Sequence, residues 1–248
     1  MVCFRYDRAV VFGDAENEGI AIAVVARMSQ LNASLDTGGA ITVAPEEPCE
    51  WVGYIAEDFS FTDFPPGVRV LDVGFGGGVQ MRELVSRGCR SIGIEADGEL
   101  VVRGRTFGLP VCRAVAEHLP FQAGVFDGVI SKVVVPYTRE RTAIAEIGRV
   151  LRQGGIAHVS YHGAGYYLRY LLTDRNWKRR VYAARVLVNT WLYALTGRRL
   201  RGFWGDSLYQ TERRLHRYYK QAGVDVARMH PSARYLGVPV FIYHTLRR

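Results

Sequence analysis

The chain has 248 residues, 48% hydrophobic and 23% charged, enough apolar matter for a substantial core, which excludes a disordered segment or a fibre. Its 27 glycines follow no three-residue period, and Cys3, Cys49, Cys89 and Cys112 form no C-x-x-C pair, so collagen, a zinc knuckle and a dithiol motif are excluded as well. The net charge of +8 is localised: residues 161–220 hold thirteen Lys and Arg against three acids, a net of +10, which leaves −2 for the rest of the chain.

In chain order, residues 1–66 read as a lead-in with a strand at 9–12, helices at 20–31 and 49–59, and a closing Pro65-Pro66-Gly67 turn. The apolar stretch 20–26 follows Asp14, Glu16 and Glu18, the reverse of a secretory signal, so a cytoplasmic protein is expected. Residues 67–161 alternate short apolar strands (69–73, 91–95, 110–113, 126–131 and 155–161) with helices at 79–87, 98–107 and 138–151, the pattern of a doubly wound α/β fold around a parallel sheet. Residues 162–210 form a basic insert. In it Trp177, Val181, Ala184, Val188, Trp191 and Leu195 repeat at steps of four and three, drawing an apolar stripe along one helix. The apolar run 181–195 is interrupted by Arg185 and Asn189 and is shorter than the roughly 20 residues that cross a bilayer. A helix at 211–222 and strands at 224–229 and 238–246 complete one domain with an antiparallel finish.

The string Asp72-Val-Gly-Phe-Gly-Gly-Gly78 joins the first strand to the first helix, where backbone N–H groups face the open end of the sheet. Glycines at 74, 76 and 78 let a ligand lie against bare backbone. The dinucleotide fingerprint fails, because its third glycine would fall at Val79, and no Gly-Lys-Ser/Thr of a phosphate loop is present. Asp72, two residues before the first glycine, suits a cationic ligand end better than a pyrophosphate. Glu95 ends the second strand, where a carboxylate can accept both hydroxyls of a ribose, as in binders of NAD or of adenosyl ligands.

Taken in order, Val70-Leu-Asp-Val-Gly-Phe-Gly-Gly-Gly78, Gly93-Ile-Glu95, Ala116-Glu-His-Leu-Pro-Phe121, Phe126-Asp127 and Ala145-Glu-Ile-Gly-Arg-Val-Leu-Arg-Gln-Gly-Gly155 resemble the motifs of class I S-adenosylmethionine-dependent methyltransferases, of the small-molecule type similar to quinone-biosynthesis (type 11) enzymes. The resemblance spans about residues 68–161. It implies a Rossmann-like seven-stranded sheet with the last strand antiparallel, and S-adenosyl-L-methionine as cofactor with S-adenosyl-L-homocysteine as product. It also implies that Asp72, Gly74, Gly76 and Gly78 form the cofactor loop, that Glu95 holds the ribose, that Ala116 and Glu117 lie beside the adenine, and that Ser131 and Lys132 line the floor. The chain departs from the family pattern at Phe75, where a small or sulfur residue is usual, and at Val115, where an acid is frequent. Pro136 stands in place of a histidine and Gln153 in place of a proline.

Methyl transfer from a sulfonium needs chiefly positioning and exclusion of water, so a base is optional. If the acceptor must lose a proton, His162 directly after the fifth strand is the best-placed base, with Tyr137 and Tyr161 as orienting groups. His158 inside the strand suits a structural hydrogen bond, and no histidine has the spacing partners of a metal site. The stripe in the insert admits three readings: docking on the core with a solvated basic face, a wall for an apolar or aromatic acceptor beside Tyr166, Tyr167 and Tyr170, or contact with an anionic surface through residues 161–220. The expectation is a methyltransferase acting on O, N or C of a small, apolar or aromatic acceptor. An RNA methyltransferase using the basic insert ranks lower, since no RNA-binding module accompanies it, and an inactive cofactor-binding scaffold is the alternative from another class.

Overall fold

The computed structural model describes residues 62–199 and 207–248; the expected strand at 9–12 and helices at 20–31 and 49–59 lie outside them. A seven-stranded sheet runs in the order β3-β2-β1-β4-β5-β9-β6. Its parallel part comprises β1 (Arg69–Val73), β2 (Arg90–Glu95), β3 (Val111–Arg113), β4 (Phe126–Lys132) and β5 (Leu151–His162). β1, β2 and β4 are buried along nearly their whole length because helices cover both faces. The last strand, β9 (Phe241–Arg247), is antiparallel to both β5 and β6 (Asp225–His230), as the resemblance implied. β6 is the edge strand and is mostly exposed.

Three helices return the chain between parallel strands. α1 (Val79–Ser86) buries Met81 and Leu84, and α2 (Gly98–Thr106) starts at Asp97, whose carboxylate accepts the Glu99 amide at 2.8 Å. α3 (Glu140–Val150) turns Ala143, Ile144, Ile147 and Val150 into the core. There they meet Leu71, Phe126 and Leu151 from the sheet, with Leu215 and Tyr219 from α6 (Glu212–Ala222). Gly148 allows that approach, since a Cβ there would lie 2.8 Å from the Ala222 carbonyl.

The observed elements differ from the expected ones in three places. β5 starts at Leu151, immediately after α3, and its register against β4 shifts between Phe126 and Gly128; the irregular start hides the strand behind Gly154 and Gly155. The expected strand 238–246 is split at Val240. Its first part pairs as β8 (Val238–Pro239) with β7 (Arg234–Tyr235) around Leu236 and Gly237, both at positive φ.

The third difference concerns the insert, which holds two helices, α4 (Ala164–Thr173) and α5 (Trp177–Thr196). The apolar stripe of α5 does not dock on the core: Trp177, Val181, Val188, Trp191 and Leu195 are all exposed. The buried face consists of Ala183, Val186, Asn189 and Thr190. Small and polar residues win that face because they pack on Tyr167 and meet backbone groups: the Asn189 amide donates to the Ser207 carbonyl (3.3 Å), and the Thr190 hydroxyl accepts the Tyr209 amide (3.1 Å). The far end of the insert is tied down at Glu140, which is buried, accepts from Gln210 (2.6 Å) and Arg214 (3.2 Å), and has the Arg214 Nε at ion-pair distance, 3.1 Å from its other oxygen. Among the described residues no helix is long and apolar enough to cross a membrane.

Candidate functional site

In a parallel sheet the strand ends and the following helix N-termini share one edge, and most of the expected site residues gather there. β1 ends at Asp72-Val73 and the chain then turns through Gly74, Gly76 and Gly78, with φ of 75°, 53° and 78°, values that favour glycine. The loop is hooked over β2 by two amides, Gly74 (2.8 Å) and Phe75 (3.1 Å), which both donate to the Ile94 carbonyl. A Cβ on Gly74 would collide with Val134, whereas one on Gly76 or Gly77 would meet nothing within 4 Å. The loop is therefore braced on one side and bare on the other.

Phe75, an unexpected bulky residue in such a loop, points away from the bare side. Its ring fills a slot between β2 and α2 that exists because Gly93 and Gly104 lack side chains: a Cβ would stand 3.0 Å from the ring at Gly93 and 2.9 Å at Gly104. Met81, Val101, Leu109 and Val111 complete the packing. Two glycines distant in sequence thus accommodate the departure without narrowing the loop.

Two carboxylates face this loop. Glu95 accepts the Gly76 amide (3.2 Å) on one oxygen and the Ala96 (2.8 Å) and Asp97 (3.2 Å) amides on the other, so its orientation is set by backbone. Asp72 is 3% exposed, and its Oδ2 meets no hydrogen-bond donor among the described residues. Burial and the repulsion of Glu95 push its pKa up to about 7, against the opposing attraction of Lys132. A buried carboxylate with an uncommitted oxygen is costly in itself and signals a site awaiting a cation. The donor set fits an adenosyl amino acid, whose ammonium would satisfy Asp72 and whose ribose would meet Glu95.

Ala114, just beyond β3, donates to the Glu95 carbonyl at 3.1 Å, which keeps Ala116 and Glu117 beside the same edge. Ala116 is buried, while the Glu117 carboxylate accepts the Arg139 amide at 2.8 Å ahead of α3 and so has a structural task already. Ser131 lies on β4 opposite Val73, and its buried hydroxyl lacks a partner among the described residues. Lys132 follows it at the strand end. Val133 then takes φ 57°, a strained conformation for a β-branched residue, and the chain enters a 3-10 turn, Val135–Tyr137. This turn sets Val134 against Gly74. Neither Val133 nor Val134 carries a sequence signal of its own.

Two strands along from the loop, about 10 Å away at ordinary strand spacing, β5 ends in His162. The ring is stacked on Tyr166 from α4 (centroids 3.8 Å apart, planes 11° apart). Its Nδ1 lies 3.3 Å from the Tyr167 hydroxyl, and Phe241 and Tyr137 approach at 5.5 and 6.4 Å between centroids. The two residues expected to act together, His162 and Tyr137, are thus brought into one aromatic cluster. Burial, however, drives the His162 pKa down to about 3, so the ring is neutral at physiological pH and a poor proton acceptor there. Tyr161 points to the other face of the sheet, where its hydroxyl accepts from Tyr219 at 3.0 Å, away from the cluster. His158 meets Thr245 at 3.1 Å, a structural contact.

Residues 71–159 match the family described as methyltransferase domain. That match covers 89 of the 248 residues, the glycine loop and the parallel strands around it. An uncharacterized protein of Mycobacterium tuberculosis is 35% identical to this chain over 126 residues, which is 48% of this chain and 46% of that protein, so the chain spans about half the length of this curated relative. Among solved structures, an S-adenosylmethionine-dependent methyltransferase of Mesorhizobium loti superposes with a TM-score of 0.56 at 16% identity, over 74% of this chain and 92% of the other. One from Methanosarcina mazei gives 0.53 at 19%, over 75% and 94%. At such identities these neighbours show the fold alone.

Proposed function

We propose that the protein transfers the methyl group of S-adenosylmethionine to an oxygen, nitrogen or carbon atom of a small acceptor with an apolar or aromatic body. The observation that carries the cofactor half is the uncommitted, buried carboxylate of Asp72 beside the bare face of the glycine loop. S-adenosylmethionine, when bound, supplies a methyl group already activated by the sulfonium charge. Asp72 binds the ammonium, and Glu95, oriented by three amides, takes the ribose hydroxyls. Gly74, Gly76 and Gly78 provide close backbone approach, Ala116 and Glu117 flank the base, and Ser131 and Lys132 close the floor.

The aromatic cluster supports the acceptor half. Tyr166, His162 and Phe241 form a rigid apolar wall at the strand ends next to the loop, suited to holding a planar acceptor by stacking. His162 acts there as a neutral ring that aligns the acceptor, and Tyr137, with 41% of its surface exposed, offers a hydroxyl to orient the acceptor's heteroatom. Proton loss then goes to solvent or to the acceptor's own functional groups, in keeping with a reaction whose donor needs no activation.

Calorimetric titration with S-adenosylhomocysteine, with NAD as the parallel control, tests the cofactor assignment. Saturable binding of the homocysteine ligand, weakened at least tenfold in Glu95→Gln, is expected; binding of NAD alone overturns the assignment. Transfer of labelled methyl to phenolic and other aromatic acceptors, compared with RNA, tests the acceptor class. A rise in KM with little change in kcat for Tyr166→Leu is expected.

A further inference from the structure

The solvent-facing stripe of α5 has no role in the site described above. At 1.5 Å per residue it runs about 27 Å from Trp177 to Leu195. Trp177, Val181, Val188, Trp191 and Leu195 have between 41% and 65% of their surface exposed. Helical geometry sets them roughly opposite the buried Ala183, Val186 and Thr190. Exposed apolar side chains scattered singly are ordinary, whereas a contiguous stripe of this length marks a contact surface.

The charges around the stripe indicate what it contacts. Lys178 and Arg185 fall on one flank and Arg180 on the other, and neither α4 nor α5 contains a single Asp or Glu. Asp174, in the link between them, is held by Arg179 at 3.4 Å. Tryptophans at two levels of an apolar face, with long basic side chains on both flanks, match the chemistry of a bilayer boundary: indole rings sit at headgroup depth while Lys and Arg stems lie along the apolar surface and carry their charge to the phosphates. A two-fold contact between copies of this face would instead set Lys178, Arg180 and Arg185 against their own kind.

We infer that the outward face of α5 docks the protein on an anionic lipid bilayer, lying in its surface without crossing it. This goes beyond the methyl-transfer assignment and does not depend on it. Docking requires neither cofactor nor acceptor, so it is measured by binding alone.

The test is co-sedimentation of the full chain with vesicles of phosphatidylcholine, either pure or containing roughly one-third phosphatidylglycerol. Binding to the anionic vesicles at low salt, at least tenfold tighter than to the neutral ones and reduced at high salt, is expected. The double variant Trp177→Ser/Trp191→Ser loses most of that binding. The double variant Lys178→Gln/Arg180→Gln loses about thirtyfold, from the charge contribution of two basic side chains near the surface. All four residues are exposed, and circular dichroism checks that both variants keep their helices. The inference is overturned if the wild type ignores anionic vesicles, or if both variants bind as the wild type does. It is also overturned if light scattering shows a dimeric wild type whose tryptophan variant is a monomer, which would assign the face to a second copy.

Discussion

Asp72→Asn is expected to stabilise the ligand-free protein, and to do so more strongly as the pH rises. The folded state raises the Asp72 pKa from 3.8 to about 7, so between those values folding favours the protonated form. The folded protein then binds more protons at this site than the unfolded chain does, and stability contributed by the site falls as the pH rises from about 4 to about 7. At 1.36 kcal/mol per unit the penalty reaches about 4 kcal/mol above pH 7. Asparagine carries no charge at any pH, although its buried amide brings polar groups of its own whose cost is constant. The constant part cancels when two pH values are compared. From about pH 5 to about pH 8 the advantage of the variant over the wild type should therefore grow by about 2–3 kcal/mol. Urea unfolding of both proteins without ligand, at the two pH values, measures it; other titrating groups are common to both and drop out. S-adenosylhomocysteine should stabilise the wild type and leave the variant nearly unchanged, trading stability for a binding site. A difference that stays constant with pH, or shrinks as the pH rises, refutes the argument that Asp72 is held in the fold against its preferred ionisation.

The same group makes cofactor binding pH-dependent: affinity for S-adenosylhomocysteine should fall as the pH drops below about 7, because the Asp72 proton must leave before the carboxylate can meet an ammonium. Calorimetry in two buffers of different ionisation heat should detect that proton, and Asp72→Asn should abolish it. Gly104→Ala pushes a methyl to 2.9 Å from the Phe75 ring and is expected to cost about 1–3 kcal/mol by urea unfolding, with a smaller cost in a Phe75→Leu background where the slot has room. Glu140→Ala leaves the guanidinium of Arg214, a side chain 11% exposed, without its carboxylate and should cost about 3–5 kcal/mol. Adding Arg214→Met should recover part of that loss, and full additivity of the two substitutions would count against a shared ion pair.

Much of the architecture was legible in the residues themselves. Strands such as Val70–Val73 and Val129–Ser131 lie between two helical layers, so they are buried at consecutive positions and mostly apolar, a pattern that survives in the sequence. α3 shows its periodicity because one face, with Ala143, Ile144, Ile147 and Val150, packs into the core. The glycine loop and the two carboxylates were recognisable because close backbone approach and polar recognition each demand particular residue types at particular strand ends. β7, β8 and the start of β5 were obscure, since their pairing depends on local turns at Gly237 and Gly154 instead of an alternating pattern.

Other features were decided only by contacts between residues far apart in the chain. The period of α5 identifies the residues that share its stripe, but a period cannot say which side meets the protein; Tyr167, Ser207 and Tyr209 chose the side with Ala183, Asn189 and Thr190. Phe75 departs from the family pattern in the sequence, and only the fold brings Gly93 and Gly104 together to make its slot. His162 has the residue type of a base, and the aromatic rings around it remove the water that would stabilise its charged form. Asp72 was recognisable as a carboxylate in the right loop, while its raised pKa came from burial beside Glu95, reached across the sheet. Sequence determines which groups are available and at what spacing along an element; packing determines the dielectric and the neighbours that set the behaviour of each group.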